Sequence, residues 1–490
     1  MAERNIIRES GLGKKVLKSL TWVGSANLLS QILSWAITIF IVRQLSPGDF
    51  GLMAMALVFW GFLTMIGDFG LYASIVQSKE VSKNQLRQIY GFIISLNFLF
   101  LIATYLCAPM ISSYFSEPRL TSILRTLGLA FVLIPLYVIP YSLLLREMSF
   151  QKISVIDVFC NLCNATTSLI FVLNDYGVWS LVYGTLVLYL AKAVSINLVA
   201  RHYYIPLFRT DQIKEMLSFS SFFTGSTILR YFYFKSDIIV GGKFIGADAL
   251  GIYTIANQLA FLPVDKLSLI IPEVALSAFS KMQFDIKTYS EYFLKGIKLL
   301  NLIFVPCYII LFILAGDIVN ILLGPKWEKI ILPMRILCLI MPFRAFEMLF
   351  HPAMNALGKS KITMLASGLS LSILVCCFLF GLKWGYIGLC WAWVGGYSII
   401  YLIMGNMCVR NLQLGKREIA RSFKTPIFSS LGGLIMGLLL LYNKELISNS
   451  LLKIAAYIVA SIILYSISIY FIDKRVFLDL KLMFQKMKSA

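Results

Sequence analysis

Long apolar stretches separated by short polar turns recur from one end of this 490-residue chain to the other. Fourteen can be drawn, near 20–42, 52–76, 89–110, 126–145, 153–174, 178–200, 218–241, 249–276, 299–323, 331–352, 362–382, 385–408, 425–442 and 452–472. Helix rises about 1.5 Å per residue, so each is long enough to cross about 30 Å of hydrocarbon. The pattern predicts an all-α integral membrane protein with about 14 transmembrane helices. Pro263 falls inside the eighth stretch and predicts a kink or break there at mid-depth. The first stretch is long, lacks a small-residue cleavage site and is soon followed by another, so it is expected to stay as a span.

Composition agrees. Hydrophobic residues make up 59% of the chain and charged residues 14%, where a soluble protein carries about 25% charged. A net charge of +20 would suit a nucleic-acid partner if it were clustered on one face. Instead, about 29 of the Lys and Arg fall in the N-terminus, the even-numbered loops and the C-terminus. About nine fall in the odd-numbered loops and about six inside spans. Cytoplasmic loops carry such an excess, so both termini are expected in the cytoplasm and no nucleic acid is implied. The nine cysteines, including the Cys160–Cys163 and Cys376–Cys377 pairs, lie in or beside spans, and only His202 and His351 could join them. They are expected to pack, and no metal site is indicated.

Two turns look alike. "RQLSPGDFGLM", Arg43–Met53, follows the first stretch, and "KFIGADALGIY", Lys243–Tyr253, follows the seventh. Each sets a basic residue before small or turn-forming ones and a glycine eight places on. Six intervening helices give both copies the same orientation, as in a parallel repeat about an axis along the membrane normal. The alternative is that membrane turns share Gly, Pro, Asp and Ser for turn chemistry alone. On the repeat, 1–19 is a cytoplasmic N-terminus, 20–210 an N-lobe of six helices and 211–410 a C-lobe of six. An extra helix pair fills 411–472, and 473–490 returns to the cytoplasm. Two such lobes suit alternating access around a central site.

Several charges lie inside the spans, where each costs roughly 2.5–3.5 kcal/mol on insertion scales. Arg230, Lys235 and Asp237 fall in the seventh, with Arg230 and Asp237 two turns apart and about 10 Å along one face. Asp68 lies in the second, Asp265 and Lys266 in the eighth, and Arg344 and Glu347 in the tenth. Cations in a cavity suit an anion, and guanidinium fits phosphate oxygens bidentately at any working pH. Arg230, Lys235, Lys266 and Arg344 are thus candidates for substrate binding. Asp68, Asp237, Asp265 and Glu347 are candidates for charge balance or for a proton or sodium ion that drives the cycle. Structural alternatives stand beside these: Arg344 and Glu347 satisfying one another at i,i+3, and Lys192 snorkelling to the cytoplasmic interface. Asp157 and Asp317, near span ends, are not candidates.

The motifs add a resemblance. "SDIIVGGKFIGADALGIYTIANQLAFLP", "LSPGDFGLMAMALVFWGFLTMIGDFGLYASIVQ", "REMSFQKISVIDV" at Arg146–Val158 and "LLGPKWEKIILPMRIL" at Leu322–Leu337 resemble segments of Wzx-type polysaccharide flippases. Those belong to the polysaccharide transporters of the MOP superfamily, and the group containing colanic acid and teichuronic acid exporters is the most similar. The likeness runs from the first span to the tenth. It implies translocation of an undecaprenyl-pyrophosphate-linked oligosaccharide from the cytoplasmic to the external leaflet of the bacterial inner membrane. It also implies a cationic central cavity, where Arg230 and Lys235 would fall, with membrane lipids and polysaccharide polymerase machinery as further partners. No cofactor is implied beyond a proton or sodium gradient.

Two other classes stay open. A drug or metabolite antiporter of the same superfamily would share the fold but favour an acidic, more apolar pocket. A membrane polymerase or ligase would need a large external loop with catalytic residues, and no external stretch here exceeds about 20 residues. "AMNALGKS", Ala353–Ser360, has the end of a phosphate-binding loop but Ala353 in place of its first glycine. It reads as a helix end.

Overall fold

The computed structural model describes residues 34–67, 75, 81–200, 204–268, 270–442 and 450–474. Every regular element among them is an α-helix or a short 3-10 turn. Nine helical stretches among the described residues are long and apolar enough to cross a membrane. The chain divides into two compact units, Met1–Gly251 and Ile252–Ala490.

In the first unit a helix over 34–44 leads into Pro47–Gly67, Lys83–Phe115, Arg119–Gly128, Ala130–Arg146, Phe150–Leu173 and Trp179–Ala200. The predicted fourth span is therefore two helices, divided at Leu129. Local sequence explains the starts. Ser46 donates from its N–H (2.9 Å) and its hydroxyl (2.6 Å) to the Asp49 carboxylate, while the Asp49 N–H donates back to the Ser46 hydroxyl. The other Asp49 oxygen accepts from the Val178 N–H at 3.0 Å, tying this helix start to the turn before Trp179. Ser82 and Gln85 form a reciprocal capping box at the start of Lys83–Phe115. Helix Pro47–Gly67 packs on Lys83–Phe115 and Arg119–Gly128, and the Trp60 indole N–H donates to the Leu127 carbonyl at 3.0 Å.

The two similar turns meet within this unit. A Cβ on Gly51 would collide with the carbonyl oxygen of Ala247, and one on Gly251 with the carbonyl oxygen of Pro47. Residues 47 and 247, like 51 and 251, are 200 residues apart, the spacing between the Arg43–Met53 and Lys243–Tyr253 turns. The contact is thus reciprocal, as a local two-fold requires. Only glycine permits this backbone approach at both places.

Helix Lys214–Ser268 runs through both units, interrupted by a non-helical residue at Gly246 (φ 77°, ψ 169°). The expected break at Pro263 is absent: the helix continues through it to Ser268. Proline deletes one N–H, which a packed membrane helix tolerates, whereas a positive φ changes the path of the chain. The predicted eighth span, 249–276, instead divides after Ser268, and a new helix begins at Ile271.

The second unit continues with Ile271–Lys281, Ile286–Leu322, a 3-10 turn at Pro325–Ile330, Ile331–Arg344 and Glu347–Ala356. Ser360–Gly381, Gly385–Leu412, Lys416–Tyr442 and Ser450–Ile472 complete it. Ile286–Leu322 packs on Ile331–Arg344, Lys416–Tyr442 and Ser450–Ile472. The Tyr289 hydroxyl donates to Ala353 O (2.5 Å) and that of Tyr465 to Leu302 O (2.7 Å). Two ion pairs join the last helix and its end to Ile286–Leu322: Lys453 with Asp317 at 3.1 Å and Lys298 with Asp473 at 2.5 Å. The GKS segment lies at the turn after Glu347–Ala356, with Gly358 at φ 71°. It is a helix end.

Candidate functional site

Helix Lys214–Ser268 carries five of the eight candidate residues, and its first part is anchored by Tyr231. That hydroxyl donates to Val58 O at 2.6 Å and lies 3.3 Å from Leu57 O. With Tyr231 held against Pro47–Gly67, its neighbours are fixed in direction. Arg230 and Phe234 are exposed, Lys235 is half-buried, and Asp237 is only 1% exposed. The Ile238 N–H donates to the Asp237 carboxylate at 2.8 Å. Arg230 and Asp237 share a nominal helix face, but the structure gives them opposite environments. Spacing set the face; surroundings at two depths set the burial.

In the second unit, Asp265 and Lys266 are exposed on the last turn of the same helix. Arg344 is 3% exposed. Its guanidinium carbon stands 3.8 Å from the Phe261 ring centroid, 4.7 Å from Trp393 and 5.2 Å from Tyr397. The Trp393 indole N–H donates to the Tyr253 hydroxyl at 2.6 Å, which fixes one wall of this aromatic enclosure. Phe261 lies one turn before Asp265, so Arg344 is packed against the helix that carries Asp265 and Lys266. Glu347 is half-buried. Arg344 closes one helix and Glu347 opens the next, with Ala345 and Phe346 between them. Asp68 lies outside the described residues.

The candidates therefore form two groups. Arg230, Lys235 and Asp237 belong to the first unit, and Asp265, Lys266, Arg344 and Glu347 to the second. Other membrane charges have partners that spacing did not reveal. Lys192 lies 3.3 Å from Asp157 and above the rings of Tyr141 (4.7 Å) and Tyr137 (5.3 Å). It joins the packed helices Phe150–Leu173 and Trp179–Ala200 of the first unit. Asp317 is likewise taken up by Lys453. Opposite charges on helices that pack together were the available signal; the pairing of helices was not. Among the described residues no group of His, Cys, Asp and Glu is placed to hold a metal, and the cysteines are free thiols.

Comparison with known proteins decides the family. A family model described as "Polysaccharide biosynthesis protein" matches residues 40–332. The chain belongs to this family. The matched residues hold both glycine turns and six of the candidates, leaving Arg344 and Glu347 beyond. This polysaccharide biosynthesis protein is 26% identical over 335 residues to the Escherichia coli (strain K12) lipopolysaccharide biosynthesis protein WzxC, covering 67% of each chain. It is 26% identical over 281 residues to the Bacillus subtilis (strain 168) teichuronic acid biosynthesis protein TuaB, covering 57% of this chain and 58% of that one. The Wzx-type resemblance read from the four motifs holds. In fold, the chain is similar to the lipid II flippase MurJ in an inward closed conformation, with a TM-score of 0.72 and 14% identity. That match covers 93% of this chain and 99% of MurJ. An inward-facing multidrug resistance MATE family transporter of the MOP superfamily matches with a TM-score of 0.61 and 13% identity, over 78% and 95%. The polysaccharide biosynthesis protein is a multi-pass protein of the bacterial inner membrane.

Proposed function

We propose that this protein is a flippase that carries an undecaprenyl-pyrophosphate-linked oligosaccharide from the cytoplasmic to the external leaflet by alternating access. The observation that carries this is a guanidinium, Arg230, held exposed on an apolar helix whose next residue is anchored. Lys235, half-buried, supplies a second cation five residues on, off to the side of Arg230. A pyrophosphate needs such donors inside an apolar span, where no solvent replaces them. The sugars would cross with the pyrophosphate while the lipid tail stays in the bilayer.

The finer architecture belongs to the same proposal: fourteen spans, two six-helix lobes, an appended pair and both termini in the cytoplasm. The reciprocal glycine contact at an offset of 200 supports the repeat. Asp68, Asp237, Asp265 and Glu347 are the candidates for coupling to a proton or sodium gradient, and Lys266 and Arg344 for further anion contacts. A polysaccharide polymerase would receive the product. The MATE-like fold favours a second reading, a multidrug or metabolite antiporter, although the exposed Arg230 suits an anion better.

A deletion strain separates these. Accumulation of lipid-linked oligosaccharide on the cytoplasmic leaflet, with surface polysaccharide lost and restored by the gene, is the expected result. Unchanged surface polysaccharide with altered sensitivity to cationic compounds would replace the flippase with the antiporter. Units that reach the outer leaflet but stay unpolymerised would assign the chain to the polymerising step.

A further inference from the structure

Helix Lys416–Tyr442 begins basic and ends apolar, and one of its faces is exposed from Arg417 to Leu439. Arg417, Arg421 and Lys424 are all exposed, and their i, i+4, i+7 spacing puts them within about 60° of one another around the axis. With Ala420, Phe423, Ile427 and Phe428 they line a recess of about 440 Å³. The same face then continues with exposed Phe428, Leu431, Ile435, Leu438 and Leu439.

Packing along the flank of this face fixes which way it points. Phe423 is buried and stacks on Phe343 at 5.4 Å, with Tyr401 edge-on at 5.6 Å, and Ile419 is buried too. Of the nearby acids, Asp473 accepts from the Thr425 hydroxyl and pairs with Lys298, and Glu418 is turned back on the helix start, where its carboxylate accepts the Gly415 N–H at 2.7 Å. The cations thus sit on a helix fixed by aromatic packing, and the acids near them are committed to other partners.

We propose that this face binds an anionic phospholipid of the bilayer, its headgroup phosphate on Arg417, Arg421 and Lys424 and its acyl chains along Phe428, Leu431, Ile435 and Leu438. The dimensions fit. The three cations span about 10 Å of helix, which matches a headgroup region. The apolar run from Lys424 to Leu439 spans about 22 Å, more than the roughly 15 Å depth of one leaflet's hydrocarbon. A clustered basic segment just outside a span attracts anionic lipid, and arginine forks take phosphate oxygens directly. A soluble phosphate or an acidic peptide would leave the apolar half of the surface without a role.

The test uses the full-length protein in detergent, titrated with phosphatidylglycerol or phosphatidylcholine and read by native mass spectrometry. The wild type should bind phosphatidylglycerol in preference to phosphatidylcholine. Arg417→Gln/Arg421→Gln/Lys424→Gln should weaken that preference by on the order of tenfold or more. A control that removes the exposed Lys281, Lys287 and Lys295 by the same substitutions should keep it. Arg417→Lys/Arg421→Lys should retain most of it, which separates lost charge from a misfolded helix. Equal loss in the two triple variants, or loss in neither, would overturn the proposal. Displacement of phosphatidylglycerol by an equimolar polyprenyl pyrophosphate would also overturn it and assign the face to a pyrophosphate lipid. Flipping itself is read separately by the deletion strain, so loss of the phosphatidylglycerol preference and loss of export are distinguishable.

Discussion

Arg230 and Arg344 are both helical guanidinium groups, and their surroundings give them different chemistry. Arg230 is exposed beside an anchored tyrosine. Arg230→Ala should abolish surface polysaccharide with the protein inserted at normal levels, while Arg230→Lys should keep part of it. Normal export by the alanine variant would remove Arg230 from the binding site. Arg344 is enclosed by Phe261, Trp393 and Tyr397. Lysine offers a point charge that cannot stack on rings as a planar group does. Arg344→Lys should therefore cost about 1–2 kcal/mol, measured by thermal unfolding in detergent. No loss of stability would show that the rings contribute little.

Turns and caps govern the elements. Gly51 and Gly251 let two turns touch through backbone alone. Gly51→Val and Gly251→Val should each destabilise by about 1–3 kcal/mol through overpacking, seen as a lower melting temperature. If either melts like the wild type, the close approach is not part of the folded protein in solution. At the start of Ile286–Leu322, Asp285 accepts from the Lys287 and Thr288 N–H groups at 3.2 Å and from the Thr288 hydroxyl at 2.6 Å. Hydrogen bonds from Thr288 hold the Asp285 carboxyl below its ordinary value of 3.8. The sign follows: a depressed folded value means the cap is at full strength above the ordinary value and weakens as pH falls through the lower, folded one. Hydrogen exchange at Lys287 and Thr288 should be slow at neutral pH and, relative to Asp285→Ala, lose its protection only in that acid range. Protection that is already lost at neutral pH would exclude the cap.

The whole molecule raises the question of direction across the membrane. The Lys and Arg excess in even-numbered loops predicts both termini in the cytoplasm and an even number of crossings. Alkaline phosphatase fused at either terminus should be inactive, and a fluorescent protein there should be bright. An active phosphatase at one terminus alone would mean an odd number of spans.

Much of this protein was legible in the chain itself. Apolar runs of bilayer length specify helices because backbone polar groups in hydrocarbon must bond within the segment. The Arg43–Met53 and Lys243–Tyr253 turns were legible for a related reason, since close approach demands small residues at set intervals. The fates of individual charges were not. Arg344 is enclosed and Arg230 exposed, Asp237 is buried, and Lys192 pairs with Asp157. Pro263 was expected to kink or break its helix, yet the helix runs unbroken through it to Ser268. Periodicity reports which residues share a face of one helix. Which helix covers that face, and at what depth, is set by packing between segments far apart in the chain, and only the tertiary structure decides it.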